Sequence, residues 1–280
     1  MMAKRSFEGK RVVLTGASSG IGWYVASELV RAGAYVVVSS RRMDRLAQLR
    51  QSFGNPRKRL IAVPGDVAES AHRQELITAA VEQLGGIDIL INNAGVGAIG
   101  NFEQATPERL RRIFEVDFFA AAELTRLALP HLHAGFQPAI CVVSSVLGHR
   151  AVPGKSEYCA AKFALRGWAE SLRVELNPSG IDVISISPST TRSEFFGSLI
   201  DSEPQSETDG ERGNRAPKSA LRAQSAEQVA HSILQAIRQR KRDLILSSGG
   251  KALVWLSRLA PQLMDSLLLR YTAPSRLGYA

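Results

Sequence analysis

Three side chains in the stretch SVLGHRAVPGKSEYCAAK, residues 145–162, could move a proton. They are a hydroxyl (Ser145), a phenol (Tyr158) and an amine (Lys162). If the segment around Tyr158 is helical, Tyr158 and Lys162 stand four apart and share a face. A free phenol titrates near ~10, and a neighbouring positive charge favours the phenolate and pulls that value down. A proton donor or acceptor works best when its pKa lies near the working pH. Ser145 could then hold an oxygen that gains or loses negative charge. A Tyr and a Lys at this spacing also occur on ordinary helices, so the weight of the reading depends on what surrounds them.

The elements that would position these residues alternate. Arg11–Thr15 (RVVLT) reads as a short buried strand. It runs straight into Gly16-Ala-Ser18-Ser19-Gly20-Ile21-Gly22, followed by a helical pattern to Arg31 that Gly33 closes. Glycines let a backbone turn tightly and approach a phosphate. The helix N-terminus behind them offers free N–H groups to that phosphate. Ala34–Ser40 is a second strand, residues 42–53 a helix and Arg59–Val63 a third strand ending in Pro64-Gly65-Asp66-Val67. A helix over about 70–84 leads to strand Ile87–Ile91, which ends in Asn92-Asn93-Ala94-Gly95. Thr106-Pro107 marks the start of a long helical tract to about His133, with Asp117 set among apolar residues. Such an Asp is either an exposed helix position or a buried carboxylate with a partner. Strand Ala139–Ser144 delivers Ser145, the helix Glu157–Asn177 carries Tyr158 and Lys162, and Ile181–Ser187 leads into the loop at Pro188. Ser225–Arg238 reads as a helix capped by Ser225, and Asp243–Ser247 as a last strand. Strands alternating with helices predict an α/β fold: a Rossmann-type, doubly wound parallel sheet of about seven strands with helices on both faces. Ligands of such sheets lie beyond the carboxyl ends of the strands.

The end of the second strand predicts cofactor choice. An NAD-selective site would place a carboxylate there for the ribose 2′-hydroxyl, whereas this chain reads Ser39-Ser40-Arg41-Arg42. An arginine at this place suits a 2′-phosphate, so NADP(H) is expected over NAD(H), with Arg41 the first candidate.

Composition is that of an ordinary globular chain of 280 residues, 45% hydrophobic and 22% charged. Two cysteines, Cys141 and Cys159, give neither a disulfide framework nor a metal cluster, and a cytoplasmic setting is the expectation. No apolar run reaches the roughly 18 residues of a membrane span. The net charge of +9 is uneven: residues 1–211 are neutral, whereas residues 212–280 hold 12 Lys+Arg against 3 Asp+Glu. No nucleic-acid-binding module is legible.

Together, Thr15-Gly16-x-x-x-Gly20-Ile21-Gly22, Asp66-Val67, Asn92-Asn93-Ala94-Gly95, Ser145, Tyr158-x-x-x-Lys162 and the Pro188 loop resemble the short-chain dehydrogenase/reductase family in its compact single-domain branch. They stand in family order over roughly residues 8–247. The resemblance implies hydride transfer between a nicotinamide and a carbonyl or secondary alcohol. Tyr158 would be the proton donor or base, Lys162 would hold the nicotinamide ribose and depress the tyrosine, and Ser145 would orient the substrate oxygen. Gly16, Ser18, Ser19, Gly20, Ile21 and Gly22 would line the pyrophosphate and Arg41 the 2′-phosphate. Asp66 and Val67 would meet the adenine, and Asn93, with Ala94 and Gly95, the adjacent ribose region. Pro188, Thr191 and Ser193 would approach the carboxamide. A homodimer or homotetramer built on the Tyr158 helix and its neighbour is also implied.

Two residues depart from the family pattern. Asp117 stands where the family has an Asn that supports a water leading to the lysine, so an altered pH dependence is expected. Ser189 stands where a Gly usually follows Pro188. The polar stretch 197–224 reads as a mobile substrate loop between the last motifs and the final helix. Residues 1–248 are thus expected to form one domain, and 249–280 a basic amphipathic extension. Leu253, Trp255, Leu256, Leu259, Leu263, Leu267 and Leu268 recur at helical spacing there, broken at Pro261 and punctuated by Lys251, Arg258 and Arg270. It is read as packing on its own domain, capping the substrate pocket, packing on a second subunit, or making a peripheral contact with an anionic membrane through 250–280. Val96, Ile99, Leu147, Val152, Phe195 and Phe196 suggest a hydrophobic substrate. The competing function is a catalytically silent NADP(H)-binding sensor, against which the intact Ser145, Tyr158 and Lys162 speak.

Overall fold

The computed structural model describes residues 4–54, 59–192, 199–200 and 223–271. Seven strands form one parallel sheet: β1 (Arg11–Thr15), β2 (Tyr35–Ser40), β3 (Leu60–Pro64), β4 (Ile89–Asn92), β5 (Ala139–Val143), β6 (Asp182–Ser187) and β7 (Asp243–Ile245). Their spatial order is β3-β2-β1-β4-β5-β6-β7. The chain reverses direction across the sheet between β1 and β4, and that switch point opens a crevice at the carboxyl ends of both strands.

β1, β2, β4 and β5 are almost wholly buried, as strands covered on both faces must be. Alternate residues feed two cores. Val12, Leu14, Val36 and Val38 pack against α1 (Gly20–Arg31) and α7 (Ala226–Arg238) on one face. Val13, Val37, Leu90 and Ile140 pack against α3 (Ser70–Leu84), α5 (Ala120–His133) and α6 (Ser156–Leu176) on the other. Each such side chain removed from water contributes about 1.5–3 kcal/mol. The expected caps are present. The Thr106 hydroxyl accepts from Arg109 N–H at the start of α4 (Pro107–Phe114), and Ser225 and Gln228 form a reciprocal capping box on α7.

Three details differ from the sequence reading. The fourth strand runs from Ile89 rather than Ile87; at its start the Asp88 backbone still bonds the Arg11 carbonyl and the Ala139 N–H, and its side chain accepts from Arg11, through its backbone N–H and guanidinium, and from the backbone N–H of Phe136. The long tract after Pro107 is not one helix: α4 and α5 are joined by a π-helical turn, Glu115–Phe119. One extra residue in that turn rotates Asp117 into the interior, where it is 1% exposed. The C-terminal segment forms two helices, α8 (Ser248–Leu259) and α9 (Pro261–Tyr271), broken where Pro261 predicts. Ser193, Phe195, Phe196 and most of the stretch expected to be a mobile loop lie outside the described residues. Of that stretch Leu199 bridges to Gly97, and Gln224–Ser225 pairs with Thr191–Arg192. No helix among the described residues is long and apolar enough to cross a membrane.

Candidate active site

The glycine turn follows β1 at the switch point. Gly16 adopts φ +73°, a conformation that favours glycine. A side chain on Gly22 would place its Cβ 2.1 Å from the Gly16 carbonyl oxygen, so only glycine lets the turn fold back on α1. Thr15 Oγ1 accepts from Asn93 N–H (3.1 Å) and Ala94 N–H (3.0 Å), tying the ends of β1 and β4 together. The Asn93 amide donates to the Thr15 and Gly16 carbonyls at 3.0 and 3.1 Å. Asn93, expected at the ribose, therefore buttresses the turn with its amide nitrogen.

The N-terminus of α1 suits an anion. Ser19 at the N-cap makes no side-chain cap, and the first turn carries no acidic residue. The first N–H groups of the helix are thus left to a ligand. Around the turn stand three arginines from the end of β2 and from α2 (Met43–Gln51). Arg41 is exposed. Arg42 Nε donates to Ser18 Oγ at 3.2 Å, and Arg45 lies over the Trp23 ring at 5.4 Å with Nε 3.4 Å from the Ser18 carbonyl. Arg45 was not singled out from the sequence, although it follows Arg42 at i+3 and so shares its helix face. At the end of β3, Asp66 caps Ala68 N–H and pairs with Arg112 of α4. Burial opposes its charge, but the Ala68 N–H and the Arg112 guanidinium outweigh burial and hold the carboxyl below its usual range. Val67 is buried in a small cluster with Val96, Ile113, Val116 and Ala161 beneath the site.

β5 and α6 bring the remaining residues together. Ser145 begins a short 3-10 turn, its hydroxyl accepting from Leu147 N–H at 3.1 Å and hydrogen-bonded to the Tyr158 phenol. Lys162 Nζ lies 5.5 Å from the Tyr158 ring centroid, on the same face of α6. Lys162 Nζ is also 3.1 Å from Asp117 Oδ2, and both side chains are buried. The second Asp117 oxygen accepts from Val96 N–H at 2.7 Å. Gly95 passes over the pair: an added Cβ would stand 3.3 Å from Nζ. The Asp at this position is therefore the buried carboxylate with a partner. Across the crevice, the Pro188 carbonyl accepts from Val146 N–H, and Thr191 Oγ1 donates to the Ser189 carbonyl.

The electrostatics correct one expectation. The tyrosine is not held below its ordinary value. Burial pushes it up, Lys162 pulls it down, and Asp117 pushes it up again. The residue as a whole is half-buried, so water tempers the upward push. Burial likewise opposes the Lys162 ammonium, but Asp117 and Tyr158 outweigh it and raise the amine above the ordinary lysine range.

A family model described as short chain dehydrogenase matches residues 10–204. An uncharacterized oxidoreductase of Bacillus subtilis is 33% identical over 92% of this chain and 70% of its own length. The ketoacyl reductase HetN of a Nostoc species is 30% identical over 92% of this chain and 88% of its own. Among solved structures, a short-chain dehydrogenase/reductase from Burkholderia phymatum in complex with NAD superposes with TM-score 0.82, covering 92% and 96% of the two chains at 24% identity. One from Burkholderia cenocepacia in complex with NADP gives 0.77 at 23% identity, covering 95% and 99%. The chain belongs to the short-chain dehydrogenase/reductase family. It is an NAD(P)-dependent oxidoreductase acting on CH–OH or C=O groups.

Proposed function

We propose that this enzyme uses NADP(H) in preference to NAD(H), with Tyr158 as the group that gives or takes the proton. The observation that carries the reading is the convergence of Ser145, Tyr158 and Lys162 at the carboxyl end of β5, with the amine 5.5 Å from the phenol ring. The glycine turn and the uncapped start of α1 fit a pyrophosphate, with Gly16, Ser18, Ser19, Gly20, Ile21 and Gly22 around it. A bound nicotinamide supplies or accepts the hydride. Ser145 holds the substrate oxygen, Tyr158 protonates it as the carbonyl is reduced, and Lys162 holds the nicotinamide ribose. Asp66, Val67 and Ala94 lie toward the adenosine end, and Gly95, Pro188 and Thr191 toward the nicotinamide end.

NADP(H) preference rests on Arg42 and Arg45 beside Ser18, on Arg41 directly after β2 and on the lack of a carboxylate at the end of β2; Asp66 already has Arg112 as its partner. Arg41 and Arg42 receive the 2′-phosphate. A hydrophobic substrate is suggested by the apolar residues Val96, Ile99, Leu147 and Val152 that neighbour the motif residues in the chain. Steady NADPH consumption with a panel of aliphatic and cyclic ketones tests the reading. Tight NADPH binding without turnover across the panel would instead favour a silent sensor.

Two contacts of the surface extend the proposal. Phe119 and Phe163, both exposed on the π-turn and α6, suit a homodimer or homotetramer built through these helices; sedimentation of the purified chain measures it. The exposed Trp255, Leu259, Leu263 and Leu267, flanked by Lys251, Arg258 and Arg270, suit peripheral contact of a cytoplasmic protein with an anionic membrane. Co-sedimentation with anionic vesicles tests that contact, and equal, negligible binding by the full chain and by residues 1–248 ends it.

A further inference from the structure

Asp117 has no direct path to a substrate, yet it is placed to set which protonation state of Tyr158 prevails. It enters from the π-turn, is buried on all sides, and its two oxygens meet Val96 N–H at 2.7 Å and Lys162 Nζ at 3.1 Å. Lys162 Nζ also approaches the Val143 carbonyl at 3.5 Å. Whichever of the two side chains holds the shared proton, the Asp117–Lys162 pair carries no net charge. The amine that would draw the phenol toward phenolate is thus offset by a carboxylate close behind it.

We propose that Asp117 is a positioning residue that keeps Tyr158 a neutral phenol near neutral pH, so that the site stands ready for carbonyl reduction rather than alcohol oxidation. The proposal rests on the reading of Tyr158 as the proton-transfer group. Among the described residues, the charged and titratable groups facing that phenol are Lys162 and Cys159 on its own helix and Asp117 from the π-turn, with the Ser145 hydroxyl at the end of β5. Cys159 stays a neutral thiol because burial pushes it up, so Asp117 is the one carboxyl of this set; burial pushes it up as well, and Lys162 and the Val96 N–H oppose that push. In reduction, hydride from the reduced nicotinamide bonds to the carbonyl carbon, the Tyr158 O–H breaks, and its proton bonds to the carbonyl oxygen. The carbonyl is reduced and the cofactor oxidised, and the phenolate regains its proton from solvent. Oxidation runs the same bonds backwards and has to start from the phenolate. Below the phenol's pKa, reduction is therefore insensitive to pH, whereas oxidation climbs about tenfold per pH unit.

The test measures pH profiles of cyclohexanone reduction by NADPH and cyclohexanol oxidation by NADP+ for the parent and for Asp117→Asn. Removing the negative charge should move the rising limb of oxidation down by about one pH unit, making oxidation on that limb about tenfold faster. The ratio of oxidation to reduction rates on that limb should rise by about tenfold with it. An active Asp117→Asn enzyme whose oxidation limb stays in place, or moves up, overturns the inference. If Asp117→Asn does not fold, or cyclohexanone is not turned over, tyrosinate absorbance is titrated in the parent and in Tyr158→Phe, which needs no substrate. The difference should show Tyr158 ionising above the ordinary tyrosine midpoint, and ionisation near neutral pH overturns the proposal. Full turnover by Tyr158→Phe would defeat the underlying assignment of the proton donor instead, so the two failures are told apart.

Discussion

Arg109 of α4 grips Glu157 of α6 with two nitrogens, Nε at 2.9 Å and Nη2 at 2.8 Å from the same carboxylate oxygen. Both side chains are buried, and Glu157 directly precedes Tyr158 in the first turn of its helix. The pair thus fixes where the phenol's helix begins relative to α4. Breaking a buried pair leaves one charge without compensation and costs about 3–5 kcal/mol. Arg109→Met should lower unfolding stability by that amount in urea titrations. Arg109→Met combined with Glu157→Met should recover most of it, because no charge is then stranded.

Replacing the proposed proton donor separates chemistry from binding. Tyr158→Phe should lower kcat by about 10²–10⁴-fold. NADPH affinity, followed by fluorescence of the bound cofactor, should change little. Ser145→Ala should cost a smaller factor, of order 10²-fold, because one oxygen-holding donor is lost.

Cofactor preference should follow the arginines at the end of β2. Arg41→Ala is expected to raise KM for NADPH by about tenfold or more and leave KM for NADH unchanged, consistent with loss of one charge-assisted contact. Arg42→Ala should also loosen the Ser18 contact and so weaken both cofactors slightly.

Acid sensitivity should report on Asp88. Burial opposes its charge, but the Arg11 guanidinium and the backbone N–H groups of Arg11 and Phe136 outweigh burial and hold its carboxyl below the usual range. A group lowered on folding stabilises the fold above its unfolded value, about 3.9, and loses that contribution as pH falls through its folded value. Asp88→Asn should therefore be less stable than the parent near neutral pH. The gap should shrink progressively below about pH 4.

Cys141 lies in the middle of β5, and burial pushes its thiol up to about 12. The thiolate is the nucleophile, so native Cys141 should resist alkylation near neutral pH and react once urea unfolds the chain. Mass-spectrometric labelling with and without denaturant reads this directly.

The sheet was legible because strands buried on both faces write themselves as apolar runs such as VVLT and YVVVSS, each ending in turn residues. The convergence of Ser145, Tyr158 and Lys162 was equally legible, since each stands at a strand end or one helical turn from another. The partners were not. No spacing joins Arg109 to Glu157 or Arg112 to Asp66, because these pairs meet only once helices pack across the crevice; Asp117 was tied to Lys162 by the family resemblance alone. The direction of the Tyr158 shift was missed for the same reason. Periodicity and the resemblance place a lysine and a carboxylate nearby, but not the burial that, with that carboxylate, outweighs the lysine at the phenol. The motif gave no sign, either, that the Asn93 amide nitrogen meets the Thr15 and Gly16 carbonyls, which only the folded turn brings within reach.

Helix α1, whose start faces the cofactor, rests against α7, more than 190 residues further along. Arg5 adds a second link between the chain's extremes: it is buried, donates to the carbonyls of Gln137 and Ile237 and pairs with Asp182. The nucleotide half is therefore not a separable module. A fragment ending near residue 204 would leave the apolar back of α1 facing water, and in a nascent chain that face stays uncovered until α7 has left the ribosome. Maturation of the dinucleotide cleft should be among the last events of synthesis.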